Sequence, residues 1–171
     1  MLLLLLCPYF CYSVTMSYIP STKSPPFPRY IPFMVHLKSR NSLIVYGGWD
    51  MITIYDDIWE YSLDLFSWTN VICFGSDNVG VSYPGARRGV GGYSSDTEQK
   101  FYIYGGMSKM GTENDLWCFD FTTMKWEKIT TYKAPSSVSI FGYTSYEFES
   151  NMYFAIQSGS NLDKYLNDLY V

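Results

Sequence analysis

Residues that could carry chemistry are few in this chain, and they are scattered along it. There is one histidine, His36, so a metal site built from several histidines cannot form. Hydrolysis through a serine and His36 would need a serine on a sharp turn, and no Gly-x-Ser-x-Gly motif is present. We therefore predict no catalytic residue, no metal and no cofactor, and we interpret His36 as a structural residue on a first strand.

Acidic side chains offer a second route to chemistry. Asp56 and Asp57 are adjacent, and Glu113 and Asp115 lie close together further along the chain. Two carboxylates at a suitable separation can hydrolyse a glycosidic bond. Acids of this kind also favour solvated turns, because their side chains hydrogen-bond to the turn backbone. We favour the turn interpretation and keep acid-based catalysis as the alternative.

The four cysteines do not form a recognisable framework. Cys7 and Cys11 lie in an apolar N-terminal stretch, whereas Cys73 and Cys118 are far apart, and no Cys-x-x-Cys motif is present. Zinc-binding and thioredoxin-like sites are therefore not predicted. A disulfide between Cys73 and Cys118 is an option if the protein is secreted.

Composition narrows the class of protein. Hydrophobic residues make up 47% of the 171 residues and charged residues 16%, which suits a packed core. The aromatic fraction of 19% favours strands, whose half-buried surface accommodates large rings. A formal charge of −4 provides no basic surface for nucleic acid, so we predict no nucleic-acid partner.

An internal repeat organises the chain. The segment Val45-Tyr46-Gly47-Gly48-Trp49 returns 58 positions later as Ile103-Tyr104-Gly105-Gly106-Met107. Repeating units bury their apolar faces by stacking on their neighbours. At the same offset, Pro26, Arg29, Asp57, Trp59 and Trp68 correspond to Pro84, Arg87, Asp115, Trp117 and Trp126.

Each repeat is predicted to form four short antiparallel strands. In the second repeat, aromatic and β-branched runs alternate with clusters of turn residues. No window carries a sustained apolar stripe at helical spacing, so we expect little helix. The predicted strands of this repeat are Gly89–Ser94, Lys100–Tyr104, Asp115–Asp120 and Lys125–Thr130.

This pattern resembles the kelch repeat, one blade of a β-propeller. An apolar strand ends in Gly-Gly, and an aromatic residue follows that precedes a tryptophan by seven positions. The matching residues are Gly47, Gly48, Tyr61 and Trp68 in the first repeat, and Gly105, Gly106, Phe119 and Trp126 in the second. The resemblance implies an all-β fold of about three four-stranded antiparallel blades, at approximately residues 26–74, 84–131 and 135–171.

The third repeat is degenerate and truncated. Ser158 replaces its first glycine and Gly159 keeps the second, and the chain stops within the third strand of the blade. Because propellers typically have 4–8 blades, we expect a partial or open propeller. The chain is then a fragment of a larger propeller protein, or it needs additional blades or another chain to complete the ring.

The resemblance also implies structural roles for the repeated residues. We expect the glycines to turn the chain sharply and to allow another segment to approach closely. Trp68 and Trp126 are interpreted as wedges between neighbouring blades. Arg29, Arg87 and Arg88 are interpreted as bound to backbone carbonyls, since a buried charge must be paired.

Residues 1–25 combine an apolar leader with a proline-rich connector. The leader lacks the basic start of a signal peptide, and Pro8 interrupts it. A cleaved signal and a membrane anchor are both open alternatives. Phe10 lies 58 positions before Trp68, so Phe10–Met16 could instead be an orphan fourth strand of a preceding blade.

The resemblance implies a non-enzymatic scaffold that binds protein partners, whose identity stays open. The candidate binding residues lie in the loops after the glycine doublets and are Trp49, Met51, Met107, Lys109 and Met110. The alternative is a propeller-type enzyme, hydrolase or oxidase-like, in which the four acids named above meet at one end of the channel. We predict a cytoplasmic location, or secretion if residues 1–17 are a signal, and we consider a membrane partner a poor fit.

Overall fold

The computed structural model describes residues 17–19, 21–72, 82–149 and 151–171. Its regular structure is almost entirely β, and the one helical element in these ranges is a 3-10 turn at Lys38–Arg40. The all-β prediction is confirmed. The strands are β1 Phe33–Leu37, β2 Ser42–Tyr46, β3 Ile58–Ser62, β4 Ser67–Ile72, β5 Gly91–Ser95, β6 Lys100–Tyr104, β7 Leu116–Asp120, β8 Lys125–Ile129, β9 Gly142–Phe148, β10 Asn151–Ser160 and β11 Tyr165–Tyr170.

The strands form three antiparallel sheets, each a meander in chain order. Blade 1 has the order β1-β2-β3-β4, blade 2 has β5-β6-β7-β8, and blade 3 has β9-β10-β11. In blade 2 the predicted strands match the observed ones to within two residues. The central strands β2, β6 and β7 are continuous runs of apolar and aromatic residues, which suits sheets that pack on both faces.

The blades stack on one another in the order of the sequence. Strand β1 contacts β5, and β5 in turn contacts β9. Between blades 1 and 2, the rings of Phe33 and Phe101 stack with centroids 6.1 Å apart, and both side chains are fully buried. A smaller apolar cluster of Tyr104, Val138 and Ile156 joins blade 2 to blade 3. No sheet closes on itself, so the described residues form part of a propeller.

The first glycine of each doublet permits a close approach by the connector that enters the next blade. A Cβ on Gly47 would lie 2.3 Å from the carbonyl oxygen of Arg87, and a Cβ on Gly105 would lie 2.5 Å from that of Val138. Both glycines have φ near +65°, where a side chain is strained. The predicted roles of the doublet, a sharp turn and a close approach, are therefore confirmed.

Trp126 is a wedge between blades, as predicted. Its ring meets Tyr46 of blade 1 at 5.3 Å between centroids, and it also packs against Phe101 and Phe119 of its own blade. Trp68 has the equivalent position in blade 1 and packs against Tyr61 at 5.1 Å. Trp68 is only half-buried.

Blade 3 departs from the other two where its sequence does. Ser158 adopts φ +62°, and the pairing of β10 with β11 shifts between Gln157 and Gly159. A serine thus takes the left-handed conformation that glycine takes in the other repeats, at a cost in backbone strain. A Cβ on Gly159 would lie 2.4 Å from the side chain of Val138, so this glycine permits a close approach by the segment that enters its own blade.

Several predictions from the N-terminus and the cysteines lie outside the described residues. They concern the leader of residues 1–16, the strand predicted at Phe10–Met16, and Cys7, Cys11 and Cys73. Cys118 is described, and its thiol is buried in β7. Burial raises the pKa of this thiol to about 11. Among the described residues, no helix has the length and apolarity needed to span a membrane.

Candidate interaction surface

The loops that follow the two glycine doublets, residues 49–57 and 107–115, leave their blades at the same end. At the start of each loop the backbone pairs with the segment that enters the same blade. Trp49 pairs with Tyr30 in blade 1, and Met107 pairs with Arg88 in blade 2. The repeat therefore places both loops in the same way relative to their sheets.

Arg88 of blade 2 joins the two loops. Its guanidinium carbon lies 3.6 Å from the centroid of the Trp49 ring, and its Nη2 donates to Met107 Sδ at 3.2 Å. Tyr30 packs on the Trp49 ring at 5.0 Å between centroids. A cation over an indole face is attracted by the negative charge of the ring face. We call the resulting surface the loop face; its residues are Tyr30, Trp49, Met51, Arg88, Met107, Lys109 and Met110.

The five predicted binding residues differ in how far they reach into solvent. Trp49 and Met107 are half-buried at the junction of the blades. Met51 is 70% exposed and Met110 is 93% exposed, and Lys109 is also exposed. The Tyr30 hydroxyl donates to Met51 Sδ at 3.2 Å. The structure places all five on the loop face, and their role in binding stays a prediction.

Behind the loop face, each of the first two blades contains a buried ion pair. Arg29 binds the Asp57 carboxylate in a bidentate manner, with Nη1–Oδ1 at 2.5 Å and Nη2–Oδ2 at 3.0 Å. Arg87 binds Asp115 in the same way, with Nη2–Oδ2 at 3.0 Å. The interpretation of Asp57 as a solvated turn residue was therefore wrong. The arginine that enters each blade needs a buried counter-charge, which this aspartate supplies.

Further hydrogen bonds fix these ion pairs in place. Arg29 Nη1 donates to the Gly47 carbonyl at 3.0 Å, and Arg87 Nη1 donates to the Gly105 carbonyl at 3.1 Å. The prediction that both arginines bind backbone carbonyls is confirmed. Arg88 differs, because its guanidinium contacts Trp49 and Met107 side chains.

Asp115 is held in its charged form. Burial alone would raise its pKa, but hydrogen bonds from Arg87 and Trp117 and the charges of Arg87 and Lys128 outweigh burial and lower the pKa to about 2. Trp117 Nε1 donates to Asp115 Oδ2 at 2.7 Å. An acid with this pKa cannot donate a proton near neutrality, so Asp115 is unsuited to general acid catalysis.

The other two acids of the alternative have local partners. Ser108 Oγ donates to Glu113 Oε1 at 2.7 Å, which folds the blade 2 loop. The pKa of Asp56 is raised, first by burial and then by the charge of Asp57, and Tyr83 hydrogen-bonds to it. Among the residues the structure describes, no group of three or more His, Cys, Asp and Glu side chains could hold a metal ion.

His36 lies on β1, as predicted, and is exposed. Its carbonyl oxygen accepts a hydrogen bond from Ser94 Oγ at 2.8 Å, which links blade 1 to blade 2 through the backbone.

Tyr30 and Arg88 belong to the loop face but were not predicted as binding residues. They lie 58 positions apart, so they are equivalent residues of the two repeats. The first repeat has an aromatic residue at this position and the second has a cationic one, and this difference is visible in the sequence. Its meaning depends on the stacking of the blades, which brings Arg88 over a ring of the preceding repeat.

Comparison with known proteins agrees with this architecture. The family model of the KLHDC2/KLHL20/DRC7 kelch-repeats domain matches residues 9–171, which is nearly the whole chain. No curated protein matches the chain. The family match, the glycine doublets and the stacked antiparallel sheets agree, and the chain belongs to the kelch-repeat family.

Proposed function

We propose that this chain is a non-enzymatic scaffold that binds a protein partner through the loop face. Kelch-repeat domains in general serve as protein-interaction modules, which supports the proposal. The observation that carries it is the position of Arg88 over Trp49, 3.6 Å from the ring centroid. Through this contact the loops of two blades lie side by side and form one continuous surface.

The chemistry of the loop face suits a protein partner. Aromatic residues, methionine and arginine are enriched at the cores of protein interfaces. Met51 and Met110 project from the loop face as unbranched side chains that can adapt to an irregular surface. Trp49 contacts both the Tyr30 ring, at 5.0 Å between centroids, and the Arg88 guanidinium carbon, 3.6 Å from the Trp49 ring centroid.

The acids near the loop face support the scaffold over the enzyme alternative. Asp57 and Asp115 are bound by arginines, and Glu113 is hydrogen-bonded to Ser108. Each of these carboxylates has a role in positioning the chain. We propose no second activity.

The loop face can be tested with variants that leave the fold intact. Met51→Ser combined with Met110→Ser removes two exposed side chains, and Met124→Ser is the matched control. Met124 is also an exposed methionine, but it lies in the β7–β8 turn at the opposite end of blade 2. Trp49 and Met107 are less suitable targets, because both are half-buried between the blades.

We expect proximity labelling with the double variant to recover the partner roughly tenfold less than with the native chain, since a few side chains carry most interface energy. The Met124→Ser chain should recover it in full. Equal recovery by all three chains, with unchanged unfolding temperatures, would remove the loop face as the binding surface.

We also propose a cytoplasmic location, with secretion as the alternative if residues 1–17 act as a signal. The buried thiol of Cys118 supports a reducing compartment. Cell fractionation, together with mass spectrometry of the mature N-terminus, tests this proposal.

A further inference from the structure

Arg88, on the loop face, differs from the other arginines in having no acidic partner. The chain has four arginines, and three of them bind a carboxylate, in the pairs Arg29–Asp57, Arg40–Glu60 and Arg87–Asp115. Arg88 forms no ion pair with any residue in the described part of the chain. Its side chain is half-buried, and a charge that is partly removed from water is stabilised by a counter-charge.

The Arg88 guanidinium is held in position while most of its donors stay unused. Its backbone N–H donates to the Met107 carbonyl at 3.1 Å, and its own carbonyl accepts from Met107 N at 2.8 Å. The guanidinium carbon lies 3.6 Å from the centroid of the Trp49 ring. Toward the rest of the described chain, the side chain makes one hydrogen bond, to Met107 Sδ, which is a weak acceptor. Its other N–H groups are therefore available to an acceptor on another molecule.

The acids of the two loops already have partners. Asp57 and Asp115 bind other arginines, and Asp56 and Glu113 have the hydrogen bonds described above. The remaining acid of these loops is Asp50, which accepts a hydrogen bond from the hydroxyl of a tyrosine in its own loop at 2.6 Å. The loops thus contain no unpartnered carboxylate for Arg88.

The repeat itself does not require a cation at this position. The equivalent backbone bridges of the three blades are Tyr30–Trp49, Arg88–Met107 and Ser139–Ser160. All three bridges form, although one blade has an aromatic ring and another a hydroxyl where blade 2 has the guanidinium. The neighbouring Arg87 behaves differently, because it recurs as Arg29 with the same ion pair. The positive charge of Arg88 is therefore a property of the loop face and not of the blade.

Apolar groups flank this charge on both sides. Trp49 lies on its blade 1 side and Met107 on its blade 2 side. Further out on the two loops, Met51 is 70% exposed and Met110 is 93% exposed. One fixed cation between two apolar areas is complementary to an acidic side chain between apolar side chains. Arginine suits this task, because its planar group can bind both oxygens of a carboxylate.

We propose that the partner of the loop face is a protein segment with a glutamate or aspartate side chain between apolar residues, and that Arg88 binds this carboxylate. The inference rests on the proposed function and specifies the chemistry of the partner. Lys109 is exposed and flexible, so it attracts an acidic segment without fixing its position.

Two pools of end-blocked peptides provide the test on the full chain. In the first pool a central glutamate is flanked, one or two positions away, by leucine, methionine or phenylalanine; in the second, glutamine replaces the glutamate. Affinity selection followed by mass spectrometry should enrich glutamate peptides roughly tenfold over their glutamine counterparts, because hydrogen bonds between charged groups are the stronger ones. Equal recovery of the two pools, or recovery of neither, would overturn the proposal.

Arg88→Met separates loss of this contact from a general loss of structure. Methionine keeps an unbranched side chain beside Trp49 but removes the charge and the donors. The preference for a glutamate peptide over its glutamine counterpart should then fall from roughly tenfold to about one, whereas unfolding of the loop face would weaken both peptides equally. Arg88→Lys should keep part of the preference, because it keeps the charge. A preference that persists unchanged in Arg88→Met would contradict the assignment.

Two lysine variants remove the same amount of charge from other places. Lys38→Met alters an exposed cation in the 3-10 turn, at the opposite end of blade 1. Lys109→Met alters the other cation of the loop face. Both variants should keep the glutamate preference to within about threefold, because solvent-exposed ion pairs contribute little. Loss of the preference in Lys38→Met would assign it to net charge and contradict a site at Arg88.

Further outcomes would assign Arg88 to a different anion and overturn a side-chain acid. A glutamine peptide with a free C-terminus that binds as well as the blocked glutamate peptide would assign it to a chain end. A phosphoserine peptide that binds where the glutamate peptide does not would assign it to a phosphorylated segment. Asp77 is the one acid outside the described residues, and a glutamate preference that emerges only in Asp77→Asn would assign the counter-charge to this chain.

Failure of this inference can be told apart from failure of the proposed function. If Met51→Ser with Met110→Ser lowers recovery of the partner while Arg88→Met recovers it in full, the loop face binds a partner without an acid at Arg88. If neither change affects recovery, the loop face itself is not the binding surface.

Discussion

Arg87 and Asp115 form a bidentate ion pair that ties the segment entering blade 2 to the end of the loop between β6 and β7. Arg29 and Asp57 form the same pair in blade 1, with the same separation of 28 positions. In each blade, the arginine also donates to the carbonyl of the first glycine of the doublet. The same arginine–aspartate ion pair therefore lies behind the loop face in both blades.

Loss of Arg87 should be far more damaging than loss of a surface arginine. The Arg87 side chain is 3% exposed, and Arg87→Met would leave Asp115 as an unpaired buried charge, at a cost of roughly 3–5 kcal/mol. Arg40 pairs with Glu60 but is 34% exposed, so Arg40→Met should cost less than about 1 kcal/mol. Urea denaturation of both variants measures the difference, and equal losses would contradict a buried role for the pair.

The stability of the chain should fall as pH drops from about 4 to about 2. Asp115 has a pKa of about 2 in the folded chain against 3.8 as its ordinary value. Its contribution is fully present above the ordinary value and is lost as pH falls through the folded value. The difference corresponds to roughly 2 kcal/mol.

Thermal unfolding as a function of pH tests this window. Asp115→Asn should be less stable at pH 7 and should lose less on acidification than the native chain. Asp163→Asn, in the β10–β11 turn, changes an exposed acid and serves as the control. If Asp115→Asn lost as much stability on acidification as the native chain, groups other than Asp115 would determine the loss of stability at low pH.

The two tryptophans of the repeat should differ in their contribution to stability. Trp126 is 7% exposed and packs on both blades, so Trp126→Ala should cost about 3–5 kcal/mol. Trp68→Ala should cost clearly less, because that ring is half-buried and its described ring contact is with Tyr61. Chemical denaturation measures the free energy of unfolding of both variants. A larger loss of stability in Trp68→Ala than in Trp126→Ala would contradict the role of Trp126 as a wedge between blades.

Substitution of the doublet glycine should have two separable costs. Gly105→Ala strains a backbone at φ +64° and also places a Cβ 2.5 Å from the Val138 carbonyl oxygen. Gly85→Ala has a similar strain at φ +79° but meets nothing within 4 Å. Left-handed strain alone costs about 1–2 kcal/mol. Gly85→Ala should therefore lower the free energy of unfolding by that amount, and Gly105→Ala should lower it by more. Similar free energies of unfolding for the two variants would argue against the inter-blade clash.

Much of the fold could be predicted from the repeat. The strands of blade 2 were placed to within two residues, because aromatic runs and turn clusters alternate clearly there. The role of the doublet could also be predicted, since a paired glycine after a strand implies an unusual turn. Asp57 was misjudged as solvated because a turn position in sequence does not reveal burial. Only the packed structure shows that Arg29 reaches it.

The sequence by itself determined the period, the strands and the residues that recur in each blade, because these depend on local patterns of apolar, aromatic and glycine residues. The stacking of the blades determined which residues of different repeats touch. It brought Arg88 over Trp49, and it set Trp126 against Tyr46. These contacts join residues far apart in the chain, and local pattern carries no information about such distances.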